Sequence, residues 1–134
     1  MTNPTAVLLD THTLLWALVD PGRLSPSAIE AMTTAQSRLV SVATCWELAI
    51  KHQSGKLPAA AALLEDWDDT VARVLGSQLG LQPPDAISAA RLPWPHKDPF
   101  DRMLAAQAVR ANAVLLTKDS AFDSLRWPGF SAIW

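Results

Sequence analysis

AVLLDTHTLLWALVD, residues 6–20, changes its period halfway along. Ala6 to Leu9 form a continuous apolar run, the pattern of a strand covered on both faces. From Thr11 onward the apolar residues fall at helical spacing, and Asp10 stands at the junction. The same alternation recurs downstream. RLVSVAT (38–44) reads as a second strand and CWELAIKHQ after it as a helix closing near Gly55. NAVLLTKD (112–119) reads as a third strand, and FSAIW (130–134) as a last strand at an edge. Between them, DPGRLSPS (20–27) is a turn in which Ser25 suits the N-cap of the helix PSAIEAMTTAQ. Residues 59–79 read as helical, in one or two pieces. PPDAISAARL (83–92) is a short helix opened by its prolines, and LPWPHK is an irregular loop. Strands alternating with helices predict an α/β fold with a central, mostly parallel sheet flanked by helices, in one domain over 1–134.

The composition narrows the function. With 134 residues and 49% apolar side chains the chain builds a full core. The formal net charge of −2 gives no bulk attraction for nucleic acid or anionic membrane, so phosphate binding would depend on local groups or a bound cation. The single Cys45 excludes an internal disulfide and a cysteine-rich zinc site, which suits a reducing, cytoplasmic setting. The N-terminus lacks the basic segment of a signal peptide, and no apolar run reaches the ~18 residues of a membrane span.

Four carboxylates fall where strands end or helices begin. Asp10 ends the first strand, Glu47 lies in the first turn of the helix after the second, Asp101 in the first turn of DPFDRMLAAQA, and Asp119 at the end of the third strand. In an open parallel sheet these positions share one edge, where ligands bind. Each acid also has a structural reading. Thr44 and Glu47 have the S/T-x-x-E spacing of a capping box, Lys51 sits four residues beyond Glu47 as an ion-pair partner, and Asp10 and Asp119 suit helix caps. In HKDPFDR (96–102), Asp98 suits the N-cap, Pro99 the first helical position and Asp101 the third. Taken together, four acids on one edge repel one another unless a cation offsets the charge. Oxygen-only ligands select Mg²⁺ or Mn²⁺, and the chemistry that uses such a site is phosphodiester hydrolysis.

In order and spacing, LLDTHTLLWAL, VSVATCWELAIKHQSGKL, HKDPFDRMLAAQA and LLTKDSAF resemble the PIN-domain ribonucleases, and among them the VapC-type toxins of bacterial toxin–antitoxin pairs. The resemblance covers nearly the whole chain from Val7 onward, although residues 58–95 carry little of it. It implies a PIN-like three-layer fold and an Mg²⁺- or Mn²⁺-dependent ribonuclease. It makes Asp10 and Asp101 the main metal ligands, with Glu47 and Asp119 completing the acidic site directly or through waters. Thr117 would contact water or phosphate, and Asp98 would mainly cap its helix. It further implies an RNA substrate, a cognate antitoxin and a homodimer. Trp16, Leu63, Leu64 and Trp67 are candidate partner contacts, although each reads first as ordinary core.

Of the remaining polar residues, His12 lies beside the site and suits a structural hydrogen bond. His96, Lys97, Arg102, Lys51 and Lys118 are candidate phosphate contacts or ordinary surface charges. Cys45 reads as a small buried residue. Other functions fit less of the chain. An aspartyl-nucleophile phosphatase wants D-x-D-x-T, but LLDTHT has His12 at the second acid. A receiver domain wants paired acids near the first strand, and a non-catalytic PIN-like binding module would not need all four carboxylates.

Overall fold

The computed structural model describes residues 4–134; the first three residues of the domain expected over 1–134 lie outside it. Five strands form one parallel sheet: β1 (Ala6–Leu9), β2 (Ser37–Ser41), β3 (Ser77–Leu79), β4 (Val114–Leu116) and β5 (Ala132–Ile133), in the spatial order β3-β2-β1-β4-β5. β1 pairs with β2 through Ala6–Ser37 to Leu9–Val40 and with β4 through Val7–Val114 to Leu9–Leu116. The chain therefore lays β1, β2 and β3 outward in one direction and then returns to place β4 on the other side of β1. That reversal opens a crevice beyond the carboxyl ends of β1 and β4.

Val7, Leu8 and Leu9 are wholly buried, because β1 sits at the centre and its pleat sends alternate side chains to opposite faces. Val7 and Leu9 join Val40 and Leu116 under one layer of helices: α1 (Thr11–Val19), α2 (Pro26–Thr34), α3 (Val42–Gln53), α4 (Ala60–Glu65) and α5 (Trp67–Arg73). Leu8 and Leu115 face the other layer, built from α7 (Pro99–Arg110), the loop carrying Leu92 and Trp94 after α6 (Pro83–Arg91), and a 3-10 turn at Ser120–Ser124. The three-layer α/β architecture expected from the sequence is the one observed.

Two local readings change. Residues 77–79, read as the end of a helix, form strand β3. Gly76 makes the turn into it: a Cβ there would stand 3.2 Å from the carbonyl oxygens of Arg38 and Val71, and Leu75 before it is left-handed at φ 52°. Three residues are too few for strand periodicity to register. Helix α3 begins at Val42, straight off β2, with Ser41 as N-cap accepting from the Ala43 N–H at 2.9 Å. Thr44 is thus inside the helix and Glu47 in its second turn, so the capping box between them does not form. The core reading holds for Leu63, which is buried, and for Leu64 and Trp67, which pack against the core, while half-buried Trp16 meets the Trp134 ring at 5.8 Å. Ser25 caps α2 and Asp98 caps α7 as their sequence positions suggest.

Candidate active site

The crevice is built first by the backbone. The Asp10 N–H continues the β1–β4 ladder by donating to the Leu116 carbonyl at 3.1 Å, and the Thr13 hydroxyl donates to the same oxygen at 2.8 Å. The Asp10 carboxylate caps α1, accepting from the Thr13 N–H at 2.7 Å. Across the crevice, the Asp119 N–H donates to the Thr117 hydroxyl at 3.0 Å, and the Asp119 carboxylate accepts from the Ala121 N–H at 2.9 Å. Asp10, His12, Trp16, Lys118, Asp119 and Ser120 line one cleft of about 390 Å³. Thr117 is buried beside Asp10, and its hydroxyl favours the ionised Asp10 carboxylate.

Asp101 approaches from α7, at the third position of the helix. Its Oδ2 is 2.7 Å from His96 Nε2. Burial, opposed by the His96 hydrogen bond and reinforced by the charges of Asp98 and Asp119, pushes its carboxyl up to about 6. Asp119 therefore acts on Asp101 as it shares a cleft with Asp10. Burial also raises the Asp10 carboxyl; bonds from Thr117 and Thr13 and the nearby His12 oppose that rise.

Glu47 stands on the flank, on α3. Both of its oxygens are engaged: Thr11 Oγ1 donates to Oε1 at 2.5 Å, and Lys51 Nζ meets Oε2 at 2.7 Å. One turn earlier on the same helical face, the Thr44 hydroxyl is buried with no protein partner. An orphaned hydroxyl of this kind is where a structural or reacting water is wanted. Among the described residues no three histidine, cysteine, aspartate or glutamate side chains stand close enough to enclose an ion by themselves. The donor set nevertheless suits a hard cation that keeps much of its own water: the acids supply oxygen only, and Mg²⁺ commonly takes one or two carboxylates and several waters.

The other polar residues separate by what they touch. His12 is exposed and packs its ring on Trp16 at 5.5 Å; among the described residues it makes no side-chain hydrogen bond, contrary to the expectation for it. Lys51 is the ion-pair partner of Glu47. Arg102, a candidate for phosphate, donates instead to five backbone carbonyls: Ala89, Ala90, Leu92, Trp94 and His96. All five of its N–H groups are thereby used. Cys45 is half-buried and its thiol is pushed up by burial, the opposite of an activated nucleophile. The His96–Asp101 pair was not legible beforehand; histidine five residues before an acid is no helical spacing, and only the loop path brings them together.

Comparisons with known proteins identify the family. Residues 7–128 match the PIN domain family. Ribonuclease VapC22 of Mycobacterium tuberculosis is 32% identical over 131 residues, covering 97% of this chain and 99% of that protein. Among solved structures, the DNA-bound VapBC of Salmonella typhimurium superposes with a TM-score of 0.66 at 18% identity, covering 99% of this chain and 98% of that one. VapBC2 from Rickettsia felis, bound to a DNA fragment from their promoter, gives 0.65 at 13% identity, with 96% and 97% covered. VapBC-5 from Mycobacterium tuberculosis gives 0.62 at 20% identity, with 97% and 98% covered. With its sheet order, its crevice acids and a family match over nearly its whole length, the chain belongs to the PIN-domain family, in the VapC-type branch.

Proposed function

We propose that this chain is a Mg²⁺- or Mn²⁺-dependent ribonuclease that hydrolyses RNA phosphodiester bonds and serves, in the cytoplasm, as the toxin of a toxin–antitoxin pair. The observation that carries the chemistry is the meeting of Asp10 and Asp119 in one cleft at the reversal point of the sheet, with Asp101 close enough to Asp119 for their charges to oppose each other. Asp10 is buried and Asp101 largely so, and neighbouring acids in such a setting stay ionised most readily when positive charge joins them. The relative named a ribonuclease, identical at 32% of positions, supports RNA as the substrate.

Asp10 and Asp101 are the proposed main ligands, with Glu47 and Asp119 completing the site directly or through waters. Bound there, the ion would neutralise the phosphate, lower the pKa of a water and stabilise the departing oxygen. The chain's own residues do the rest. Thr13 and Thr117 hold Asp10 as an ionised acceptor, Thr44 offers a hydroxyl to a water on the α3 side, and Glu47, held by Thr11 and Lys51, helps orient the attacking water from the flank. Lys118, beside the cleft, is placed to meet a phosphate without being tied to an acid. We further propose a homodimer and a small antitoxin as partner, in keeping with the VapBC complexes of the same fold; among the described residues no helix is long and apolar enough to cross a membrane.

The test is cleavage of total RNA by antitoxin-free protein with Mn²⁺, with Mg²⁺ and with chelator. Cleavage that needs the divalent ion and disappears in Asp10→Asn supports the enzyme. RNA retention without cleavage under every condition would make the chain a binding module instead.

A further inference from the structure

We propose that His96 is a positioning residue: it holds Oδ2 of Asp101, fixing the rotamer in which that carboxylate serves the site, and Arg102 holds His96 to the task. The inference rests on the metal-dependent reading above.

Asp101 has a competing local use. An acid at the third position of a helix ordinarily turns back to the N–H of its own N-cap. Here it does not; Asp98 caps the helix by accepting from Phe100 and Asp101 N–H at 2.8 and 3.1 Å, and the Asp101 carboxylate accepts from His96 Nε2–H. Something must make the outward rotamer the lower in energy, and His96 is the only side chain recorded as bonded to it among the described residues.

His96 can do this because its own position is overdetermined. Prolines at 93, 95 and 99 restrict the loop before any tertiary contact forms. Arg102 then ties the His96 carbonyl (3.0 Å) to those of Trp94 and Leu92 (2.8 Å each) and to the last turn of α6 through Ala89 (2.8 Å). Carbonyls at a helix C-terminus lack intrahelical donors and favour a cation, so the guanidinium gains on both counts. The His96 ring lies against buried Trp94 at 4.7 Å, and Trp94 is itself fixed by its Nε1–H to Ser124 Oγ at 3.0 Å. Asp101 and Arg102 are adjacent in sequence, so the helix that presents the acid also carries the clamp that presents its partner. Outer hydrogen-bond partners of this kind set the orientation and affinity of metal-binding carboxylates.

The experiment compares Mn²⁺ affinity, by titration calorimetry or EPR, in wild type, His96→Phe, His96→Gln and His96→Asn, with thermal unfolding of each. Phenylalanine keeps the ring's packing and lacks the donor. The glutamine amide reaches about as far as Nε2, and the asparagine amide falls short. Expected is a loss of about 10- to 100-fold in Mn²⁺ affinity for His96→Phe, with recovery to within about 3-fold of wild type in His96→Gln. If His96→Phe fails to fold, the weak asparagine and restored glutamine variants carry the same contrast. Unchanged affinity in the donor-less variants overturns the proposal and leaves the ribonuclease reading standing. Glutamine as weak as phenylalanine or asparagine also overturns it, since the ring would then matter only as packing. A wild-type protein that takes up no Mn²⁺ removes the metal reading and this inference together.

Discussion

The four acids are held by two different means. On the strand side, Asp10 and Asp119 are fixed by backbone: each caps the turn that follows it, and the Leu116 carbonyl and Thr117 hydroxyl tie the two turns together across β1 and β4. On the helix side, Glu47 and Asp101 are fixed by side chains from elsewhere, Thr11 and Lys51 for the first and His96 for the second. Backbone anchoring is rigid and inherited from the sheet. Side-chain anchoring is adjustable and can be removed one partner at a time. The comparison teaches that the same acidic character is reached by a fixed half and a tunable half.

The largest effect should come from the fixed half. Asp10→Asn keeps the cap, since asparagine caps helices as well as aspartate, yet loses the charge. Its melting temperature should stay within a few degrees of wild type while RNA cleavage falls on the order of 10³-fold, the several kcal/mol expected of a lost metal ligand. Parallel loss of fold and activity would show that Asp10 is structural only. A smaller effect is expected on the tunable half: Glu47→Gln retains an acceptor for Thr11 and should lower turnover by about 10-fold with little change in unfolding. A loss equal to that of Asp10→Asn would erase the distinction between the halves.

Smaller again is a stability effect with a defined pH sense. The Asp101 carboxyl, about 6 when folded against an ordinary value of 3.8, binds its proton more tightly in the native state. It therefore costs nothing below about pH 4 and destabilises the chelator-treated protein increasingly as pH rises through about 6. Asp101→Asn should remove this cost, gaining about 1–2 kcal/mol on wild type between pH 4 and pH 7.5 in denaturant melts. A difference between the two proteins that stays constant with pH would place Asp101 in an ordinary solvated setting.

Legibility followed the same division. Asp10, Asp98 and Ser25 were readable because a cap acts over three residues, and the sheet was readable because β1 and β4 are apolar runs buried beyond their first residue. Glu47 was misread in detail: Thr44 offers a plausible cap, but the chain turns into α3 at Ser41, before any spacing signal announces it. β3 was missed because Ser77–Leu79 has neither β-branched residues nor enough length, and its position is set by Gly76 passing close to Arg38. Arg102 looked like a phosphate ligand because nothing local shows that five carbonyls converge on it across 6 to 13 residues. Caps and core are local or periodic facts; a clamp made by a loop is neither.

Anomalous scattering from crystals soaked in Mn²⁺ puts the whole scheme to the proof. The expected result is a peak beyond the ends of β1 and β4 with carboxylate oxygens of Asp10 and Asp101 at about 2.0–2.3 Å. Density at another surface, or none in the crevice at saturating Mn²⁺, would contradict a divalent ion as the group that reconciles these charges.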